Sequence, residues 1–89
     1  MNLTFQVSLY PIAQKEFKPP IDNFIKELKD NGINVTVHET STIGTGDSSR
    51  IFDSLKKAYE SAAKLGDAVM VLTVVNGAPT KKELYKLNA

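Results

Sequence analysis

Two short stretches of the chain concentrate hydroxyl and amide side chains near the ends of predicted strands. They read QVSLYPI at residues 6–12 and TSTIGTGD at residues 40–47. Neutral donors and acceptors grouped in this way could serve catalysis, bind a small molecule or contact a partner subunit. The remaining titratable residues and the predicted strands decide among these three.

Few of the groups needed for acid–base, nucleophilic or metal chemistry are present. The chain has no cysteine and a single histidine, His38, so thiolate chemistry is excluded and only scattered carboxylates remain as metal ligands. Ser8 would need a base and an orienting acid to act as a nucleophile, and His38 is the sole histidine candidate. We therefore expect no catalytic residue, no metal and no cofactor.

The glycine-rich stretch GTGDSS could expose backbone amides to a phosphate. It lacks the lysine of a P-loop, however, and Asp47 would repel the anion. A turn followed by a helix cap at Asp47 or Ser48 is the better interpretation.

The composition is that of a small globular domain. With 89 residues, 42% hydrophobic and 24% charged, the chain predicts one domain over residues 1–89 with a modest core, which oligomerisation would help. A net charge of +1 without a basic stripe argues against a nucleic-acid partner. The longest apolar run, residues 68–75, is too short to span a membrane, and the start MNLTFQV lacks the features of a signal peptide, so we expect a cytoplasmic protein.

Hydrophobic periodicity predicts the element order β-α-β-β-α-β. Strand patterns cover residues 3–10, 33–38, 39–46 and 68–76, with a turn near residues 39–41. Helical patterns cover residues 21–28 and 51–62, and a short extension of about 80–87 follows Gly77-Ala78-Pro79. Right-handed crossovers place both main helices on one face of a four-stranded antiparallel sheet, which is a ferredoxin-like α+β sandwich.

The other face of this sheet should be open and largely neutral. Its predicted residues are Thr4, Gln6, Ser8, Tyr10, Asn34, Thr36 and His38, with Thr40 and Thr42 as candidates on the third strand. On the last strand we favour the set Met70, Leu72, Val74 and Asn76 over the alternate set, and the apolar composition predicts a central strand. Phe24, Phe52 and Tyr59 are expected in the core. Such a face suits a flat, nitrogen-rich heterocycle, or a second copy of the sheet.

SLYP at 8–11, TSTIGTG at 40–46 and VVNGAP at 74–79 together resemble the YkoF-like family of thiamine- and hydroxymethylpyrimidine-binding proteins. Their order and spacing cover almost the whole chain. The resemblance implies a ferredoxin-like fold, association through the sheets, and non-catalytic binding of thiamine or its hydroxymethylpyrimidine moiety near the sheet. The sequence differs from the family pattern at Gly44-Thr45-Gly46, where we expect a less glycine-rich strand end.

The resemblance also implies a set of ligand-binding positions, to which we add His38 for hydrogen bonding. The set is Ser8, Tyr10, Pro11, His38, Ser41, Thr42, Gly46 and Asn76. The expected partners are a small-molecule ligand and further copies of the chain, as a homodimer or homotetramer through the sheets. The alternative is a small-molecule-sensing regulatory module that acts on a partner protein, and a small enzyme ranks third.

Overall fold

The computed structural model of the protein describes residues 1–12, 16, 18–39 and 41–76. Within them the predicted order β-α-β-β-α-β is confirmed. The elements are β1 (Asn2–Pro11), α1 (Lys18–Asp30), β2 (Asn34–Val37), β3 (Thr42–Asp47), α2 (Ser48–Ala63) and β4 (Ala68–Asn76). The predicted helix at about 80–87, the break at Gly77-Ala78-Pro79 and Thr40 lie outside the described residues.

The four strands form one antiparallel sheet in the order β2-β3-β1-β4, which confirms the ferredoxin-like α+β fold. Strand β1 is central and β4 lies at an edge, so the predicted central position of β4 is wrong. The apolar composition of β4 does not reflect a central position in the sheet. It reflects apolar side chains on both faces of this edge strand. Met70 and Leu72 pack against the core, whereas Val69 and Val71 are exposed.

The strand register fixes which side chains face the helices. Phe5 pairs with Gly44 and Val74, and Val7 pairs with Thr42 and Leu72. Because partners in a ladder share a face, Thr42 and the set ending in Asn76 lie on the helix side, contrary to prediction. The face away from the helices instead carries Val69, Val71, Thr73 and Val75 of β4, beside the predicted polar residues of β1 and β2. This face is open at Val69 and Val71, whereas Thr4 at its other end is buried.

The core lies between the two helices and the central strands. Its buried hydrophobic residues are Leu3, Phe5, Val7, Phe24, Leu28, Ile33, Ile51, Leu55, Ala58 and Ala62. The predicted core position of Phe52 is wrong, since its side chain is 49% exposed. The stripe Ile51, Leu55, Ala58 and Ala62 repeats at helical spacing and turns Phe52, one residue on, away from the sheet. Tyr59 is partly buried, and its hydroxyl donates to the Ala68 carbonyl at 2.8 Å.

Local signals in the sequence explain where the helices begin and end. Pro19 and Pro20 occupy the first turn of α1, where backbone amides need no partner. Gly32 follows α1 with a φ of 81°, a left-handed conformation that glycine adopts without strain. Asp47 caps α2 by accepting a hydrogen bond from the Ser49 amide. None of the helices in these ranges is long and apolar enough to cross a membrane.

Candidate functional site

The candidate site lies where the pairing between β1 and β3 ends. The last pair is Val7–Thr42, whereas β1 continues to Pro11 beside β4 alone. On the other side, the chain turns from β2 into β3, and the His38 amide donates to the Ser41 carbonyl at 2.8 Å. The turn therefore falls where the sequence predicted it, and it stands opposite the end of β1.

A cavity of about 420 Å³ opens between this strand end, the turn and helix α1. Its lining includes most of the binding residues that the sequence predicts. They are Ser8, Tyr10, Pro11, His38, Ser41 and Thr42. Residues from three separate parts of the sequence therefore border one space, of a volume that suits a small organic molecule.

The strand alternation gives this cavity polar and apolar walls. Ser8 and Tyr10 come from open-face positions of β1, whereas Val7 and Leu9 come from helix-facing positions of the same strand. Because the cavity lies at the end of the sheet, side chains from both faces of β1 reach it. Helix α1 adds an apolar wall whose members are Ile21, Phe24 and Ile25.

The hydroxyl groups of the cavity are positioned by their neighbours in the sheet. The side-chain amide of Gln6 donates through Nε2 to the Ser41 hydroxyl at 3.3 Å and holds this hydroxyl at the start of β3. Thr42 is 6% exposed and lies on the helix-facing side of the sheet. Among the described strand residues that line the cavity from this side, it is the one with a polar side chain. Such fixed hydroxyls can donate to or accept from a ligand without a change of charge.

His38 and Glu39 complete the lining on the side of the turn. The His38 Nε2 atom is buried and has no hydrogen-bond partner among the described residues. Glu39, which is exposed, is the only acidic or basic lining residue besides His38 in the described ranges. The described residues contain no group of three histidine, aspartate or glutamate side chains suited to holding a metal ion.

Two of the predicted binding residues lie elsewhere. Gly46 and Asn76 pair with Leu3 from opposite sides, near the beginning of β1. Tyr10 stands seven residues further along the strand, which corresponds to roughly 23 Å at the rise of a β-strand. One small ligand that contacts Tyr10 therefore cannot also contact Gly46 or Asn76.

The sequence reasoning missed the contribution of α1 to the site. Ile21, Phe24 and Ile25 have the spacing of any buried helix face, and Phe24 was expected only in the core. Glu39 was also missed, although it adjoins His38 in the turn. The only signal for Glu39 in the sequence was its position in the predicted hairpin.

Comparison with solved structures supports the fold. Protein SP2199 from Streptococcus pneumoniae has a TM-score of 0.82 at 20% identity, with both chains covered over 100% of their lengths. A domain of unknown function, DUF77, from Bacillus cereus has a TM-score of 0.79 at 17% identity, over 97% of this chain and 89% of that one. TM0486 from Thermotoga maritima, a proposed thiamine biosynthesis/salvage protein, has a TM-score of 0.78 at 18% identity, with 100% of both chains covered.

At the level of sequence, no curated protein matches this chain significantly. A family model does match, and it extends over residues 2–81. The match includes the helices and strands described above, together with the described residues that line the cavity. The chain therefore belongs to the YKOF-related family.

Proposed function

We propose that this chain is a non-catalytic binding protein for thiamine or for its hydroxymethylpyrimidine moiety. The ligand would occupy the cavity between α1, the end of β1 and the turn from β2 to β3. The observation that carries the proposal is the convergence of Ser8, Tyr10, Ser41 and Thr42 on this one cavity. Membership of the family and the likeness to TM0486 support the choice of ligand.

The chemistry of the lining suits an aminopyrimidine. The ring offers nitrogen acceptors and an amino donor at its edge, and the serine and threonine hydroxyls can serve either kind of group. The apolar walls from Leu9 and Phe24 suit its flat faces. Tyr10, which is 51% exposed, can cover the ring from the solvent side.

The charge at the site favours the same ligand. Thiamine carries a positive thiazolium ring, and Glu39 is the nearby carboxylate. An exposed carboxylate attracts a cation weakly, because water screens the interaction. The hydrogen bonds to the pyrimidine should therefore contribute most of the selectivity.

Self-association through the open sheet face forms part of the proposal. Val69 and Val71 are 43% and 53% exposed, and the register places them beside Tyr10 and Ser8. These side chains form a mostly apolar patch that a second copy of the sheet would cover. The patch borders the cavity through Tyr10 and Ser8, so the ligand would bind near the subunit interface.

Calorimetric titration tests the proposal. Wild-type protein is titrated separately with thiamine, hydroxymethylpyrimidine and the thiazole half of thiamine. Replacement of Thr42 by valine keeps the shape and removes one hydroxyl, so Thr42→Val should weaken thiamine by about tenfold. Thr45→Val is the matched control, because Thr45 lies on the same strand but does not line the cavity.

The possible results separate the two parts of the proposal. Equal affinities of wild type and Thr42→Val would remove Thr42 from the site. Binding of the thiazole half but not of hydroxymethylpyrimidine would contradict the choice of pyrimidine as the recognised part. Absence of binding of all three ligands to the wild type would defeat the proposed function.

A further inference from the structure

The His38 side chain leaves one buried hydrogen-bonding atom unsatisfied within the described part of the chain. Its Nε2 is inaccessible and has no partner there, and the residue lines the cavity. A buried polar atom without a partner costs about 1–3 kcal/mol. Nearly all such atoms in folded proteins are hydrogen-bonded, so this exception requires an explanation.

A purely structural role does not supply one. The backbone of His38 is already fixed by the bond from its amide to the Ser41 carbonyl. Among the described lining residues, Tyr10 and Glu39 are the other titratable ones, and no hydrogen bond joins either of them to Nε2. A histidine retained for packing alone would be expected to have its ring nitrogens satisfied within the protein.

We infer that His38 is a specificity-determining residue, whose ring turns toward the cavity on ligand binding so that its Nε2 forms a hydrogen bond with the edge of a bound nitrogen heterocycle. The inference rests on the proposed function. Imidazole can donate or accept, so the bond can be made with a ring nitrogen or with an exocyclic amino group. A site that hydrogen-bonds its ligand rejects an analogue without the polar group, because the protein atom is then left unpaired.

Two probes of the same shape measure this selectivity. The first is hydroxymethylpyrimidine. The second is 2,4-dimethylbenzyl alcohol, in which C–H replaces both ring nitrogens and methyl replaces the amino group. Affinities for both are measured with wild type, His38→Phe, His38→Gln and the control Thr45→Val. The melting temperatures of the ligand-free proteins are measured in parallel.

His38→Phe should bind hydroxymethylpyrimidine about tenfold more weakly and the benzyl alcohol equally well, so that the preference for the pyrimidine falls by the same factor. Its ligand-free melting temperature should equal or exceed that of the wild type, because an unsatisfied buried atom has been removed. His38→Gln, which keeps a donor and an acceptor on its side-chain amide, should retain part of the preference. Thr45→Val should behave as the wild type.

An unchanged preference in His38→Phe, with the wild type still binding hydroxymethylpyrimidine, would overturn this inference and leave the proposed function standing. A ligand-free His38→Phe protein that melts well below the wild type would show a structural role and would also overturn it. If His38→Phe does not fold, the preference is measured instead with His38→Leu, whose smaller side chain is equally unable to form a hydrogen bond, and the same criteria apply. A wild type that binds neither probe nor thiamine would defeat the proposed function itself, and the inference with it.

Discussion

The ring of Phe5 lies directly against the backbone of Gly44. A Cβ atom on Gly44 would stand 2.6 Å from Cζ and 2.7 Å from Cε1 of Phe5. The two residues are paired across β1 and β3, and Phe5 is fully buried. The glycine-rich sequence of β3 therefore has a packing cause at Gly44.

This contact predicts that Gly44→Ala destabilises the fold. The added methyl would force the Phe5 ring or the sheet to move, and overpacking of this kind costs about 1–3 kcal/mol. Gly46→Ala is the control, because a Cβ there would meet Ile51 at 3.6 Å, an ordinary contact. Urea unfolding measures both, and Phe5→Leu combined with Gly44→Ala should recover part of the loss. Equal stability of Gly44→Ala and Gly46→Ala would contradict the prediction.

Asp47 predicts a dependence of stability on acid pH. A hydrogen bond and attraction from the Met1 ammonium, together with the Ser49 amide, hold the pKa of Asp47 below its ordinary value of 3.8. A lowered pKa means that the folded protein favours the carboxylate. The stabilisation is therefore fully present above pH 3.8 and is lost as the pH falls through the lower folded value.

Melting temperatures between pH 2 and pH 7 test this. Asp47→Asn should keep the helix cap but lose the pH-dependent part of the stabilisation. Asp47→Ala should lose the cap as well, and should therefore melt at a lower temperature at every pH above the transition. Asp22→Asn removes an exposed carboxylate from α1 and serves as the control. If Asp47→Asn and wild type have the same melting profile, the Asp47 carboxylate does not contribute.

We expect the removal of the Tyr10 ring to weaken ligand binding more than the removal of the Thr42 hydroxyl. Tyr10→Ala removes aromatic contact area and should weaken thiamine by more than the roughly tenfold expected for Thr42→Val. Tyr10→Phe keeps the ring and should bind almost as well as the wild type. Titration of the three variants decides, and equal binding by Tyr10→Ala and wild type would place the ring outside the ligand contact.

The phosphate of thiamine phosphate should add no affinity. The described lining residues include no lysine or arginine, and Glu39 would repel an anion. We expect thiamine phosphate to bind no more tightly than thiamine at low and at high salt. A phosphate ester that binds tenfold more tightly at low salt would require a basic group at the site.

The exposed apolar patch on the open face of the sheet leads us to expect an oligomer. A single charged side chain placed in this patch should dissociate the oligomer. Val71→Lys places an ammonium in the apolar patch, so light scattering should report monomers for this variant and a larger species for the wild type. Phe52→Lys is the matched control, since Phe52 is 49% exposed on α2 and lies away from the sheet. A monomeric wild type at micromolar concentration would refute the prediction.

The local signals in the sequence were sufficient for most of the fold. Alternation along β1, the prolines at the start of α1 and Gly32 after it gave the elements their type and approximate bounds. The register of β4 could not be predicted from the sequence. This strand is apolar at both of its alternating sets of positions, so either set could face the helices. The error at Thr42 has the same origin, since a shift of one residue reverses the faces of a strand.

The candidate site was only partly accessible for a related reason. Ser8, Tyr10 and Ser41 stand at chain positions whose polarity conflicts with a buried strand, and such conflicts can be read from the sequence. The wall from Ile21 and Phe24 cannot be read in this way, because a helix residue beside a cavity has the same spacing as one in a filled core. Gly46 was chosen by motif alone, and the fold places it at the far end of β1.

The central position of β1 has a consequence for how the chain folds. Strand β1 must pair with the distant strand β4, and the register joins Leu3 to Asn76. Contacts between such distant parts of a sequence form slowly, because the whole intervening loop must close first. During synthesis, β1 cannot acquire its partner on this side until residue 76 has left the ribosome. The nascent chain therefore exposes one unpaired edge of β1 until β4 emerges, which makes prolonged pausing before β4 a hazard for aggregation.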